Sequence, residues 1–496
     1  MRQHARTIAG AALIAGVSAD TLLRGGMLRI GFALWVATMI CAVFVIDLQS
    51  PQSGGRGQRS LLLAGIACAA FGLVWRDAEL LYVIDFLSLL CVGALTVWLG
   101  TGASLRQLTA VETVRAAALA VVNTVGGAAG VVRDASDHLS RTPELASKRR
   151  AISLGIAMAV PPLFLVLSLL ANADGVFQRL MSMAADTISS LGTRHLFVSL
   201  VFAWLAAGWL RAAVGDHALE PIPRVRAPRL SFLTVSISLY GLVALLMLFL
   251  ATQASMMFGG AQFLLRTAGL TAATYAREGF FQVIAAAMVV LATLVATEWS
   301  LSPDDQHGRR HFRTAGAILL SLVTVVLASA VSKLSLYINV YGMTVDRFFA
   351  FALMTWILGA LLVFATTTLR ARAEHFAPAT LMLTVGWVAF LNIVNPEAIV
   401  VHTNARRAAT GKSFDATYHA TLSADALPAL RDVAPRLDMI NCRALSDSLR
   451  GSWGVRLAQT HAPGVDWRSR DLPLMRAAAW YAKGASIPCA GVSAGR

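Results

Sequence analysis

The chain has 496 residues, 57% of them hydrophobic and 14% charged, against about 45–50% and about 25% in soluble globular chains. A water-solvated fold could not cover that much apolar surface, so bilayer lipid is part of its solvent. Lysines and arginines number 42 against 27 acidic residues, a net +15; they cluster between apolar runs, where positive-inside topology and anionic headgroups account for them. Lacking interleaved aromatic residues, they do not read as a nucleic-acid surface.

Residues 1–26 open with Arg2 and Arg6 ahead of an apolar stretch. No small-residue cleavage pattern follows, so 8–23 is expected to be a short uncleaved helix, half-inserted or tilted. Residues 27–99 hold the first crossings, at 27–47, 59–75 and 80–99, each near the ~20 residues that span a ~30 Å hydrocarbon core. Residues 100–150 form a basic cytoplasmic segment in which Leu105, Leu108, Val111, Val114, Leu119 and Val122 keep helical spacing. That pattern predicts an amphipathic helix on the membrane surface, and a partner-binding helix fits it too. Gly126 and Gly130 add a weak helix-packing signal.

Residues 151–396 form the main bundle, with crossings at 151–171, 194–214, 231–252 and 280–298 and a break expected at Pro161-Pro162. Three more runs follow: 315–331, 348–367, and one closing on Asn395-Pro396. The expected fold is all-α, a polytopic bundle of about ten crossings with a small helical C-terminal extramembrane domain, 397–496.

The basic segments ending at Arg150, holding Arg224, Arg226 and Arg229, holding Arg309, Arg310 and Arg313, and holding Arg370 and Arg372 alternate so as to share one side. Positive-inside makes that side cytoplasmic. Segments 172–193, 253–279 and 335–345 and the tail then face outward, in a bacterium toward the periplasm. Cys442 and Cys489 in the tail either form a disulfide, as an oxidising compartment allows, or are two unrelated buried thiols. Cys41, Cys68 and Cys91 lie in apolar runs and behave as small hydrophobes. The tail reads as mostly helical, with Trp453, Trp467, Trp480 and Tyr481 as its core or its membrane-facing rim.

Charged groups at membrane depth are costly, which marks a candidate polar cluster. Tyr275, Arg277 and Glu278 stand at the outer mouth of one crossing; Lys333, Tyr337, Asn339, Tyr341, Asp346 and Arg347 stand at the mouths of two others. Together they line an outward polar pocket, or Arg277 with Glu278 and Asp346 with Arg347 are structural pairs across helices. Asp85 is the one acid deep in a crossing that stands out, as a transport residue or an interhelical hydrogen-bond partner. No catalytic residue, metal site or cofactor is expected. His307-Gly-Arg-Arg-His311 lacks the glutamate of a zinc-protease helix, and Gly491-Val-Ser-Ala-Gly495 lacks the strand, helix and downstream histidine of a nucleophile elbow.

The strings Thr274-Tyr-Ala-Arg-Glu-Gly-Phe-Phe281 and Leu336-Tyr-Ile-Asn-Val-Tyr-Gly-Met-Thr-Val-Asp-Arg347 resemble a family of polytopic bacterial membrane proteins catalogued as a domain of unknown function. The tail start matches it as well, through Asn395, Pro396, Asn404, Asp415, Tyr418, Asp425 and Pro428. The resemblance covers most of 230–430, is weaker upstream and fades after Arg431; Met343 and Phe414 stand where leucine is expected. It implies a bacterial inner-membrane protein and no activity. Three functions are therefore carried forward. The first is a non-enzymatic envelope scaffold or sensor, with the bilayer around it and a protein partner at 397–496. The others are a transporter with an outward polar pocket, and a membrane enzyme acting on a lipid-linked substrate through Glu278 or Asp346.

Overall fold

The computed structural model describes residues 2–25, 29–49, 56–136, 178–179, 183, 193–215, 230–268, 280–302, 305–460, 466–469, 472–482 and 489. The 151–171 crossing with Pro161-Pro162, and Tyr275, Arg277 and Glu278, lie outside them. Among the described residues the structure is helical, and ten helices are long and apolar enough to cross a membrane. The protein is a multi-pass membrane protein with an all-α fold. It divides into two compact units.

Unit 1 comprises Met1–Gln107, Val111–Pro223 and Thr460–Met475. Its helices are α1 (Arg2–Leu22), α2 (Ile30–Gln49), α3 (Arg56–Trp75), α4 (Glu79–Gly100), α5 (Ala110–Ser136) and α6 (Thr193–Val214). α1 runs for 21 residues, taking in nearly all of the helix expected at 8–23, and packs antiparallel on α6. Gly16 lies against Ser199 and Ala203, and Asp20 reaches His195 Nδ1 at 3.0 Å. Its other face leaves Leu13, Ile14 and Val17 exposed, as a helix beside lipid would. Asp85 is fully buried on α4, against Gly72 of α3.

Helix α5 is long enough to span a bilayer, yet its contacts hold it near one end of the unit. α4 and α6 run in the same direction, since Trp209 Nε1 donates to Gly93 O at 3.3 Å and Gly100 abuts Ala212. The first turn of α5 meets the last turns of α4, where Trp98 Nε1 donates to Glu112 Oε2 at 3.0 Å. Fifteen residues on, about 22 Å along a helix axis, a β-carbon at Gly127 would lie 3.2 Å from Gly208 Cα. Gly208 stands only about 6 Å below the level of Ala212, so α5 slants across the ends of α4 and α6 and does not run beside them. The close approach falls on Gly127, where the sequence pattern marked Gly126, while Gly130 lies against the Arg211 guanidinium.

A β-carbon on Gly208 would stand 2.4 and 2.5 Å from the Thr124 and Asn123 carbonyl oxygens. Between helices in lipid, close packing of small residues replaces the hydrophobic drive. Gly208→Ala is therefore expected to force α5 and α6 apart and cost about 1–3 kcal/mol, read as a lower thermal midpoint of the detergent-purified protein.

Unit 2 comprises Leu108–Ala110, Arg224–Gln459 and Arg476–Arg496. Its membrane helices are α7 (Phe232–Ala268), α8 (Phe280–Ser300), α9 (Gln306–Tyr341), α10 (Val345–Thr366) and α11 (Phe376–Val394). The core takes one stripe from each of four of them: Val235, Leu239 and Leu246; Ile284, Ala287, Val290 and Leu294; Leu319, Val323 and Val326; Met354, Ile357, Leu361 and Phe364. The spacing of three and four is that of a helix buried along one face. The opposite faces expose Ile237, Leu248, Val289 and Leu362, the pattern lipid permits.

α9 has 36 residues, about 54 Å against a hydrocarbon core of ~30 Å, so helical extensions project at both ends. The first carries the basic residues Arg309, Arg310 and Arg313. Asp305 caps it by accepting from Gly308 N at 2.8 Å, and Arg309 pairs with Glu298 of α8 at 3.2 Å. The His307 and His311 rings lie 4.6 Å apart in this first stretch. The far extension, 333–341, takes in most of the segment read as facing outward, 335–345; it stays helical to Tyr341, and the turn into α10 needs only Gly342, Met343 and Thr344.

The tail within unit 2 forms α12 (Pro396–Ala408), α13 (Ala416–Thr421), α14 (Leu427–Val433), α15 (Met439–Thr460) and part of α16 (Leu472–Ala482). Trp453 is its core: it is 1% exposed and donates through Nε1 to Ala420 O at 3.0 Å. Cys442 and Cys489 are disulfide-bonded, with Cα atoms 5.7 Å apart. Trp467 falls in the short helical turn Trp467–Ser469 of unit 1 and is half exposed.

Candidate functional site

The strongest convergence of polar groups in unit 2 joins the α9–α10 turn to the tail. It begins at Asn395, a left-handed residue at φ 56°, a conformation asparagine tolerates better than most. Asn395 Oδ1 accepts from Ala398 N at 3.1 Å and Nδ2 donates to Asp425 O at 2.9 Å. One side chain thus starts α12 and ties it to the segment before α14. Pro396 follows as the first helical residue, where a missing N–H costs nothing. Glu397, buried, accepts from Ser423 N at 2.9 Å and from Ser423 Oγ at 2.6 Å, a second tie between the same segments. Pro428 sits in the first turn of α14.

One helical face of α12 then meets the turn. Asn404 Oδ1 accepts from Met343 N at 2.7 Å and Nδ2 donates to Met343 O at 2.8 Å, so the amide pairs with a backbone unit as a neighbouring strand would. Arg407, three residues on and also buried, donates Nη2 to Val340 O at 2.8 Å and Nε to Asn339 O at 3.3 Å. Lys412 Nζ donates to the same Asn339 O at 2.6 Å. These carbonyls are the orphan acceptors at the end of α9, which cations near a helix C-terminus satisfy. Gly342 permits the arrangement: at φ 90° and ψ 169° it occupies a region essentially closed to other residues.

On α13, Asp415 caps the helix by accepting from Tyr418 N at 2.9 Å, and Tyr418 Oη accepts from Val345 N at 2.9 Å. Burial raises the Tyr418 pKa, which keeps the phenol protonated. His419, 1% exposed, lies stacked on Phe414 with centroids 4.2 Å apart. Its Nδ1 is 2.6 Å from Asp415 O and its Nε2 is 3.1 Å from Asn404 Nδ2. A carbonyl can only accept and the Asn404 amide nitrogen can only donate. The imidazole is therefore neutral, with its proton on Nδ1.

Burial pushes the His419 pKa below its ordinary 6.5, and the Asp415 carbonyl opposes the shift. The unfolded histidine binds more protons than the folded one between these two values, so the His419 contribution is complete above pH 6.5. It falls as pH drops through the folded value. Protease protection of the 397–433 segment should therefore weaken between pH 7 and pH 5, and His419→Gln should flatten that dependence.

The candidate polar cluster is only partly gathered here. Arg347 does not pair with Asp346: it donates to Gly342 O and lies 4.3 Å over the Tyr337 ring, itself 4.8 Å from Tyr341. Asn339 takes part through its carbonyl, not its amide. Asp346 is exposed in the first turn of α10, and Lys333 lies a turn further down α9, half-buried. The family-matching tail residues each have a place in this network or in the caps beside it. Arg407, Lys412, Glu397 and His419 were not singled out by sequence. The spacing of Asn404 and Arg407 on one face of a helix was the available signal for the first.

No curated protein and no solved structure matches the chain. A family model described as a domain of unknown function, DUF4153, matches residues 63–433. The match begins well upstream of the stretch that carries the resemblance in sequence, taking in most of α3 and all of α4, and it ends with α14, so that the α9–α10 turn and the helices latched to it fall inside it. With most of its length covered, the chain belongs to the DUF4153 family.

Proposed function

We propose that the protein is a non-enzymatic scaffold or sensor of a bacterial inner membrane that holds the helical domain 397–496 on the extracytoplasmic side for a protein partner. The observation that carries this reading is the Asn404 clamp on Met343. Its amide, with Arg407 and Lys412 beside it, fixes the tail to the turn between two crossings.

Two further features support the placement. Within unit 2 the basic residues Arg309, Arg310 and Arg313 begin α9 and Arg370 and Arg372 follow α10, at the opposite end from the latch. Positive-inside then puts the latch outside. The Cys442–Cys489 disulfide fits an oxidising compartment. The transporter reading draws less support, because the cavity of about 610 Å³ in unit 1 has apolar walls, among them Phe32, Trp35, Met39, Phe86 and Trp209. The slanted α5, with Val114 and Val121 exposed, fits a helix lying in the cytoplasmic headgroup layer.

The test compares chains truncated after residue 396 with full-length chains in cells whose envelope phenotype depends on the protein. Normal membrane levels of the truncated chain with loss of both phenotype and a co-purifying partner support the proposal. Full phenotype from the truncated chain would overturn it.

A further inference from the structure

The C-terminal end of α9 collects more positive charge than helix capping requires. Arg407 and Lys412 reach the Asn339 and Val340 carbonyls, and Arg347 reaches Gly342 O. The peptide dipoles of a helix amount to roughly half a negative charge at this end, against three full positive charges. Among the described residues none of the three cations makes a salt bridge. Two of the neighbouring carboxylates are committed elsewhere. Glu397 is held by Ser423, Asp415 caps α13, and exposed Asp346 stands in the first turn of α10, where the helix dipole favours an acid.

Donors remain after the carbonyls are served. Arg407 retains Nη1, Arg347 retains Nε and Nη2, and the Lys412 ammonium has further protons. The two guanidiniums are brought together at Gly342: a β-carbon there would lie 2.7 Å from Arg407 Nη1, and the Gly342 carbonyl holds Arg347. Burial and then the like charge of Arg347 lower the Arg407 pKa, so the pair is held close against its own repulsion. The Arg347 guanidinium also lies 4.3 Å over the Tyr337 ring. Tyr337 and Tyr341 are also the residue type that settles at headgroup level.

We infer that Arg347, Arg407 and Lys412 form a binding site for a phosphate-type anion beside the α9–α10 turn. Planar guanidiniums grip phosphate oxygens through paired donors, and an ammonium adds a mobile point charge. A phospholipid headgroup and free phosphate present the same chemistry to such a site.

The experiment uses the full chain in detergent, titrated with inorganic phosphate against chloride at matched ionic strength. In parallel, protein reconstituted into phosphatidylglycerol–phosphatidylcholine vesicles is extracted and weighed by native mass spectrometry. Lys412→Gln alters one exposed side chain and Arg347→Gln alters a half-buried one, so at least the first should fold. Phosphate is expected to raise the thermal midpoint of the native chain by about 2 °C or more, with most of the shift lost in Lys412→Gln. Retained phosphatidylglycerol that drops about tenfold in the variants identifies the anion as a headgroup. Phosphate protection without retained lipid identifies it as soluble. Absence of both effects, or equal effects in the native chain and both variants, would overturn the inference.

Discussion

Gly342→Ala is expected to weaken the latch between tail and turn by about 3–5 kcal/mol. Gly342 sits at φ 90° and ψ 169°, where a side chain costs about 1–3 kcal/mol in backbone strain alone. The added methyl would stand 2.7 Å from Arg407 Nη1 and 2.9 Å from Asn404 Oδ1, displacing the two side chains that hold the turn. A charged hydrogen bond weakened in a buried place adds about 1.5–3 kcal/mol. Limited proteolysis of the detergent-purified protein reads this directly: cleavage within 397–433 should accelerate while the membrane helices stay protected. Unchanged protection would show that the turn does not carry the tail.

Asn404→Leu is the second large effect, expected at about 3–6 kcal/mol. Leucine keeps the branching and heavy-atom count of asparagine but strips Met343 N–H and C=O of their partners and removes the donor to His419 Nε2. Each buried group left unmade costs about 1–3 kcal/mol. Asn404→Asp separates hydrogen bonding from shape. It keeps the acceptor for Met343 N but turns a carboxylate toward Met343 O, and it gives His419 an anionic neighbour that favours imidazolium. The variant should bind its tail less well than the native chain at pH 7.5 and lose less of what remains as the pH falls to 5. Hydrogen exchange at the 343–345 amides reports both changes, and equal exchange in Asn404→Leu and the native chain would dismiss the clamp.

Membrane helices were legible because lipid imposes length and apolarity on each crossing, and runs such as 30–49, 79–100 and 345–366 carry little else. Hydropathy alone was misleading where a helix outlasts the bilayer. Lys333, Tyr337 and Asn339 end the apolar run near 331, although Leu334 and Ile338 keep the helical stripe that α9 buries.

Half of the latch could be recognised by residue type and half could not. Asn395-Pro396 and Asp415 are local caps, whose partners lie three residues away, so short-range pattern finds them. Asn404 and Met343 are 61 positions apart and Tyr418 and Val345 are 73 apart. Their pairing is a property of how α12 and α13 pack. Arg407 and His419 escaped for a related reason: on a short soluble helix a charged or titratable residue is ordinary, and burial, which makes these two consequential, is set by tertiary contact. The Arg347 contact with Tyr337 likewise depends on α9 staying helical to Tyr341.

Thiol labelling in intact cells tests whether the tail is latched on the extracytoplasmic side. Cys41, Cys68 and Cys91 would first be replaced by alanine, leaving Cys442 and Cys489 as the reporters. With a membrane-impermeant maleimide, intact cells should show no labelling until an external reductant opens the Cys442–Cys489 bridge, and labelling of Cys489 ahead of the buried Cys442 afterwards. Labelling only after the cells are broken would place the tail in the cytosol and reverse the threading of every crossing.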